Sequence, residues 1–258
     1  SALVTALDVI RGGAKRSILV SASDKREAKA GSSFEMLFGD GAAALLLGEG
    51  DVVAELEGTH SLSCDFADHY RGAQRQHDYT WEERWVRDEG YGKILQQVIN
   101  GLLVKLEVTT AGVDRLIYPC PNRRDHASVA RAIGIAPEKV SDNLHQVCGE
   151  TGAAHPLVML VAALEQAKPG ERIVVASFGQ GADALSFRVT EQIGRLPART
   201  GIAGSLAKKQ VTDNYLKYLK FRDLIQTETG IRAEAPTQTA LTTLWRKKPN
   251  WNEPKPAP

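Results

Sequence analysis

The apolar residues of the first part of the chain predict an amphipathic helix followed by two buried strands. Within residues 1–10, apolar side chains recur every three or four positions, which is the spacing of one helical face. Arg11 and the two glycines after it form a typical helix end. Residues 16–22 and 39–48 are largely apolar, which predicts two strands joined by a polar loop. This helix starts at the first residue, with no capping residue or preceding segment. We therefore expect that the chain is part of a larger protein.

From residue 52 onward, strand-like and helix-like runs alternate. Residues 52–63 alternate loosely and predict a strand, and apolar residues at helical spacing over 91–108 predict a long helix. The elements predicted after these are the strand 114–118, the helix 123–133, the strand 143–147, the helix 156–167 and the strands 172–177 and 184–189. This βαβαββ order indicates a mixed sheet with helices on its faces.

The segment 65–90 is polar, charged and rich in aromatic residues. Long loops of this composition often form binding surfaces. The interpretation that we favour is an exposed helix, because Trp81 and Trp85 have the i, i+4 spacing that would let both indoles dock on the body of the protein.

Turns rich in glycine or proline follow three of the predicted strands, at residues 119–121, 149–156 and 177–181. In such sheets the carboxyl ends of the strands gather at one edge, where ligands bind. Small residues before a helix let the backbone approach a ligand, and the helix dipole favours negative charge there. Glu150 is the first candidate catalytic residue, because a buried carboxylate near apolar walls favours its protonated form and suits acid–base work. The alternative is a tight turn in which Glu150 is simply a first-turn residue.

Several neighbouring side chains have two interpretations. Cys120 lies between two prolines at a strand end, so it is either a catalytic thiol or a small buried filler. Cys148 is interpreted as core filler. His155 either serves catalysis or hydrogen-bonds at the start of a helix. The histidines that we expect at the surface are His69, His77 and His126.

Composition narrows the class of protein. Hydrophobic residues make up 43% and charged residues 24% of the 258 residues, as in ordinary soluble globular proteins. The net charge of +1 provides no broad field for nucleic acid or an anionic membrane. The three cysteines lack CxxC spacing, which argues against a disulfide framework or structural zinc and fits a reducing cytoplasm. No apolar run approaches the ~20 residues that span a bilayer.

Four motifs carry a family resemblance. They are DGAAALLLG at residues 40–48, GETGAA at 149–154, AKPGER at 167–172 and SFGQG at 177–181. In this order and spacing they resemble the thiolase superfamily, in the branch of 3-hydroxy-3-methylglutaryl-CoA synthase and 3-oxoacyl-acyl-carrier-protein synthase III. The resemblance implies an α/β thiolase-like fold, in which two similar βαβαβαββ halves form αβαβα layers.

The same resemblance implies three regions. Residues 1–50 would be the remainder of a truncated amino-terminal half, and residues 51–190 a complete carboxyl-terminal half. Residues 191–258 change character and read as an extended arm, with a short amphipathic piece and a Pro/Thr-rich end. This arm resembles that of bacterial family members associated with, or fused to, a zinc-ribbon and OB-fold accessory domain.

The chemistry that the resemblance implies is acyl transfer and Claisen-type condensation, with a CoA thioester as substrate and no cofactor or metal besides it. In this family a Cys at a helix N-terminus takes the acyl group, and a His with an Asn or a Glu assists the carbanion step. This chain departs from that pattern, because Pro119 stands at the His position and Glu150 at the Asn position. The nucleophilic Cys would lie just before Ser1.

With this substituted machinery, Glu150 would be the general acid or base, and Cys120 or His155 would supply the second group. By the same resemblance, the substrate-binding residues would be Asn122, Arg123, Gly149, Gly179 and Gly181. Arg123 could pair with CoA phosphates through its planar guanidinium, and its alternative is a solvated first turn of a helix.

The resemblance leaves three functions open. The first is an active acyl-CoA condensing enzyme, and the second a non-catalytic subunit that holds an active thiolase and its zinc-ribbon/OB-fold partner together. The third is an acyl-CoA-binding module. The resemblance also implies a homodimer or a complex with the amino-terminal half, with the contact carried by the strand 16–22 or 43–47.

Overall fold

The computed structural model describes residues 2–227, and its contacts divide the chain into two units, residues 1–211 and 212–258. Helix α1 (Ala2–Arg11) opens the first unit and buries the predicted apolar face through Leu3, Ala6 and Ile10. Gly13 follows in the left-handed region with φ of 72°. The predicted first helix is therefore confirmed.

Strands β1 (Ser17–Lys25) and β2 (Asp40–Gly48) form a two-stranded antiparallel sheet, and a 3-10 turn (Ser33–Met36) lies in the connection between them. Both strands were predicted, although β1 continues three residues beyond the predicted end. One face of this sheet is packed against the body of the unit. On the other face, Leu19 and Leu46 are opposite each other and are 65% and 74% exposed.

The second sheet has four strands in the order β3-β8-β7-β6. Its members are β3 (Ala54–Leu62), β6 (Arg115–Ile117), β7 (Arg172–Gly179) and β8 (Gly181–Val189). Strands β6 and β7 are parallel, whereas β8 is antiparallel to both of its neighbours. The predicted mixed sheet and the predicted β7–β8 pair are confirmed.

Helices cover both faces of this sheet. On one face lie α3 (Gln96–Lys105) and α4 (Arg123–Ile133), whose apolar residues pack on β6, β7 and β8. On the other face, α6 (His155–Leu164) and α1 share a core with the inner face of the β1–β2 sheet. This gives helix and sheet layers in alternation. The limits of α4 match the prediction, and Gly134 ends the helix with φ of 81°.

The segment 65–90 differs from its predicted form. It begins with a short hairpin of β4 (His69–Tyr70) and β5 (Tyr79–Thr80). A helical stretch then runs through α2 (Glu83–Trp85) and a π-helical stretch (Val86–Leu95) directly into α3. Trp81 and Trp85 are 49% and 57% exposed, so the predicted docking of both indoles is wrong.

The predicted strand 143–147 is absent, and a helical turn, α5 (His145–Cys148), takes its place. Leu144 adopts the left-handed region with φ of 59°, which is rare for a side chain with a Cβ. Side-chain hydrogen bonds hold this conformation. Asp142 accepts from the Leu144 amide (2.6 Å), and Asn143 accepts from the His145 amide (3.2 Å) while donating to the Cys120 carbonyl (2.9 Å).

Beyond the sheet, the first unit ends with the short helix α7 (Gly201–Ala207). The second unit contains α8 (Tyr215–Phe221), which has the limits of the predicted amphipathic piece. The predicted Pro/Thr-rich end, residues 229–258, lies outside the described residues. Between residues 2 and 227, every helix is too short or too polar to cross a membrane.

Candidate active site

A cavity of about 790 Å³ lies at the carboxyl ends of the parallel strands β6 and β7. The predicted turns at residues 119–121, 149–156 and 177–181 all contribute residues to its wall. The rest of the wall comes from the end of β1, the 3-10 turn and the residues after it, the hairpin β4–β5, the helical stretch that follows the hairpin, and Asp125. The expected meeting of the three turns at one edge is therefore confirmed.

Glycine places Glu150 in this cavity. The Glu150 amide donates to the Leu37 carbonyl (2.8 Å), and the Gly39 amide donates to the Glu150 carbonyl (3.0 Å). This parallel pairing needs close contact of two backbones, because a Cβ at Gly39 would lie 1.9 Å from the Cys148 carbonyl oxygen. Gly149 has φ of 72° and does not line the cavity. It helps to position Glu150 because it has no side chain.

Polar groups hold both oxygens of the Glu150 carboxylate. Oε1 accepts from the Gly152 amide (2.8 Å), and Oε2 pairs with Nη1 of Arg26. Asp24 accepts from the next amide, that of Ala153 (3.1 Å). The expectation of a carboxylate among apolar walls is therefore wrong, and the amides before α6 are occupied by two carboxylates of the protein itself.

Arg26 connects Glu150 to the hairpin β4–β5. Its side chain is 2% exposed, and its Nε donates to Asp78 Oδ2 (2.5 Å) while its guanidinium lies 3.9 Å from the centre of the Phe38 ring. Arg71 donates to the other oxygen of Asp78 (2.5 Å). Burial alone raises the pKa of Asp78, but the hydrogen bonds from Arg71 and Arg26 lower it below its ordinary value. The result is a chain of alternating charges that runs from the cavity wall to the hairpin.

His69 and Asp68 lie on the wall of the cavity. The imidazole Nδ1 is 2.9 Å from Asp68 Oδ1. This hydrogen bond raises the pKa of His69, and it outweighs the opposing effect of burial. The expectation of a simple surface histidine is wrong here. The sequence feature that could have identified His69 as a site residue was the Asp-His pair within a polar and aromatic segment.

The other two predicted catalytic residues lie behind the wall. Cys120 is fully buried, and burial raises the pKa of its thiol to about 12, so the thiol stays protonated at neutral pH. His155 is also fully buried. Its Nδ1 contacts the Thr151 hydroxyl (2.9 Å), its Nε2 contacts the Asn143 carbonyl (2.7 Å), and burial lowers its pKa. Burial of Cys120, together with the burial and contacts of His155, favours a structural rather than a catalytic role for both residues.

Comparison with known proteins agrees with the fold and the motifs. Residues 103–189 match the family described as 3-Oxoacyl-[acyl-carrier-protein (ACP)] synthase III C terminal. A hydroxymethylglutaryl-CoA synthase of Methanopyrus kandleri is 29% identical over 225 residues, which is 86% of this chain and 64% of that protein. These matches support a place for this chain in the thiolase superfamily, in the branch of hydroxymethylglutaryl-CoA synthase and 3-oxoacyl-acyl-carrier-protein synthase III.

Solved structures agree with a thiolase-like fold. A structure of HMG-CoA synthase complexed with CoA has a TM-score of 0.70 at 17% identity, and the match covers 90% of this chain and 63% of that one. The 3-oxoacyl-[acyl-carrier-protein] synthase III of Aquifex aeolicus has a TM-score of 0.62 at 22% identity, with 72% and 63% covered. This chain spans somewhat less than two thirds of the length of the proteins it matches.

The predicted substrate-binding residues occupy different places in the structure. Asn122 and Gly179 line the cavity, and a Cβ at Gly179 would have no neighbour within 4 Å. Gly181 has φ of 96° and lies against the Leu62 carbonyl, where a Cβ would be only 2.6 Å away. Arg123 lines a separate, smaller cavity of about 280 Å³.

Asn122 also caps α4, because its Oδ1 accepts from the Arg124 amide (2.9 Å) and the Asp125 amide (3.4 Å). We expect Asn122→Ala to lower the free energy of unfolding by about 1 kcal/mol, since the cap is lost, and Asn122→Ser to retain most of it. Urea unfolding checks this expectation. If Asn122→Ala and wild type unfold at the same urea concentration, the cap contributes nothing.

Proposed function

We propose that this chain takes part in acyl transfer or Claisen-type condensation on a CoA thioester that binds in the cavity. One observation carries the proposal: three turns from separate parts of the chain surround one cavity, with the Glu150 carboxylate in its wall. The similarity to proteins named hydroxymethylglutaryl-CoA synthase supports this class of reaction.

The cavity wall offers an apolar part and a charged part. Phe34 and Phe38 stack with ring centres 5.2 Å apart, and Tyr91 meets Phe178 edge-on at 4.7 Å. These rings suit the acyl group or the pantetheine arm of a thioester. Glu150 supplies negative charge on the other part, and each of its oxygens retains a lone pair beyond the bond described above.

The test uses the full gene product that contains this chain. It is offered acyl-CoA donors and acceptors, CoA release is followed with a thiol reagent, and mass spectrometry detects a new carbon–carbon bond. Glu150→Gln should slow CoA release at least tenfold. The matched control is Glu138→Gln, which changes an exposed carboxylate outside the cavity wall. Equal rates for both variants would remove Glu150 from the proposal.

A second candidate function is acyl-CoA binding without chemistry. The buried, protonated Cys120 supports it, because this thiol does not supply a nucleophile to the cavity. Calorimetry separates the two candidates. Thioester binding with no CoA release favours the binding module, and release above the uncatalysed rate favours the enzyme. With neither binding nor release, the scaffolding subunit is the remaining candidate.

The outer face of the β1–β2 sheet supports the proposed association with a second copy or with a partner half. Leu19 and Leu46 form an exposed apolar pair across the two strands, and exposed apolar surface of this kind is typical of interfaces. Sedimentation of the full gene product tests this. Replacing both leucines with serine should release the associated subunit, and an unchanged sedimentation coefficient would contradict the assignment.

A further inference from the structure

We propose that His69, oriented by Asp68, is the group that takes and returns the proton of the ligand in the cavity. This inference rests on the proposed function, because it assumes that a thioester binds there. His69 would take a proton from the carbon next to the thioester carbonyl, and the electrons of the broken C–H bond would form the enolate. The enolate would attack the carbonyl of a second, acyl thioester. A carbon–carbon bond forms, the thiolate leaves, and the imidazolium returns the proton to it.

The first support is the position of the ring. Of the histidines between residues 2 and 227, His69 is the one that lines the cavity. The others that lie near the site are behind the wall. His155 uses both ring nitrogens in contacts with its neighbours, and His145 packs against it with ring centres 4.7 Å apart.

The second support is the orientation of the ring. The Asp68 carboxylate contacts Nδ1 (2.9 Å) and also accepts from the His69 amide (2.9 Å). A carboxylate at Nδ1 selects the tautomer that is protonated there, so Nε2 becomes the nitrogen that exchanges a proton. This is the arrangement that a general base requires, with the base held by a third group.

The third support is the anchoring of the hairpin that carries the ring. The Trp81 amide donates to the Asp68 carbonyl (2.8 Å), and the Asp78 amide donates to the Glu27 carbonyl (2.8 Å). Arg26 and Arg71 both bind Asp78 on the returning side of the hairpin. The base is therefore held on a supported element rather than on an unpaired loop.

The Asp68 hydrogen bond raises the pKa of His69 above its ordinary value, although burial lowers it. Asp68 raises its pKa most, Glu150 raises it further, and Arg26 lowers it. The other charged side chains on the cavity wall are Asp24, Glu83, Arg87 and Asp125. A raised pKa makes the imidazole a stronger base toward the proton of the ligand.

The experiment measures kcat/KM for thioester condensation from pH 5.5 to 9 with the full gene product. The variants are His69→Gln and Asp68→Asn, and the matched control is His77→Gln, which changes a histidine of the same hairpin region outside the cavity wall. We expect His69→Gln to lower kcat/KM about 100-fold at neutral pH. Calorimetry with CoA should show an affinity within threefold of wild type.

Asp68→Asn gives the signature that a structural role would not produce. Because Asp68 raises the pKa of His69, its loss should move the acidic limb of the pH–rate profile to lower pH. Thermal melting of both variants shows that they fold. If wild type turns over and His69→Gln keeps its activity within threefold, this inference is wrong and the proposed function stands. If wild type releases no CoA from any thioester, the proposed function and the role of His69 are both overturned.

Discussion

Replacing Arg26 with methionine is expected to lower the free energy of unfolding by about 3–5 kcal/mol, the cost of leaving buried charges without a partner. The Arg26 side chain is 2% exposed and lies between Glu150, which is 12% exposed, and Asp78, which is 3% exposed. Methionine fills much of the same volume but removes the positive charge. The two carboxylates are then left close together in a region that water hardly reaches.

Urea unfolding of three variants separates charge from packing. Arg71→Met removes the other partner of Asp78, but the Arg71 side chain is 38% exposed, so the expected loss is only about 1 kcal/mol. Adding Glu150→Gln to Arg26→Met should restore part of the stability, because one orphaned charge disappears. Similar losses from Arg26→Met and Arg71→Met would show that burial of the pair contributes little.

The parts of the fold that were predicted correctly are those with a local signal. The helix 123–133 has a polar cap before it, helical spacing within it and a glycine after it, and its limits match the structure. The pair β7–β8 is joined by a glycine turn between two apolar runs. The strand predicted at 143–147 failed because Asn143 binds the carbonyl of Cys120, a residue 23 positions away.

The candidate site was predicted in outline, because the turns after β6 and β7 lie at one edge of the sheet. The turn at 149–156 reaches the same cavity although the strand predicted before it is absent. The contacts that define its chemistry were not predictable from spacing. Arg26 reaches Glu150 across 124 positions, and Asp24 reaches the Ala153 amide across 129. Neither pair has a local pattern, so the carboxylate of Glu150 was expected among apolar walls.

Burial explains the remaining errors at the site. Cys120 and His155 lie beside the predicted turns in sequence, yet both are fully buried behind the cavity wall. His69 was expected at the surface, and the hairpin carries it to the wall of the cavity instead. A residue type near a turn indicates candidate chemistry, but only packing decides whether its side chain reaches the ligand.

Acidification from pH 7 to 4 is expected to destabilise the protein through histidines that are partly or fully buried, with His145 contributing roughly 3 kcal/mol. Burial lowers the pKa of His145 from 6.5 to about 4, and neighbouring His155 and His126 lower it further while Asp142 opposes them. Between pH 6.5 and pH 4, His145 binds a proton in the unfolded chain but not in the folded chain. The contribution of His145 to the free energy of unfolding is therefore fully present above pH 6.5 and is lost as the pH falls through 4.

The other titrating groups do not hide this loss of stability between pH 6.5 and 4. His155 and His126 also have pKa values lowered by burial, so they add to the loss in the same direction. His69 acts oppositely, because its raised pKa contributes stability that is present at low pH and lost as the pH rises. Burial raises the pKa of Glu57, but hydrogen bonds from Arg172 and Ser186 lower it to about 2, so its contribution is lost only below pH 4.5.

The measurement is urea unfolding of wild type, His145→Gln and the control Gln146→Ala, which changes the exposed neighbour of His145, at pH 7, 6, 5 and 4. Glutamine does not titrate, so His145→Gln should lose roughly 3 kcal/mol less than wild type between pH 7 and 4. Gln146→Ala should follow the wild-type curve. Parallel curves for all three proteins would show that His145 takes up its proton equally in the folded and unfolded chain. The acid sensitivity would then have to come from the remaining histidines, and the packing of His145 against His155 would carry no electrostatic cost.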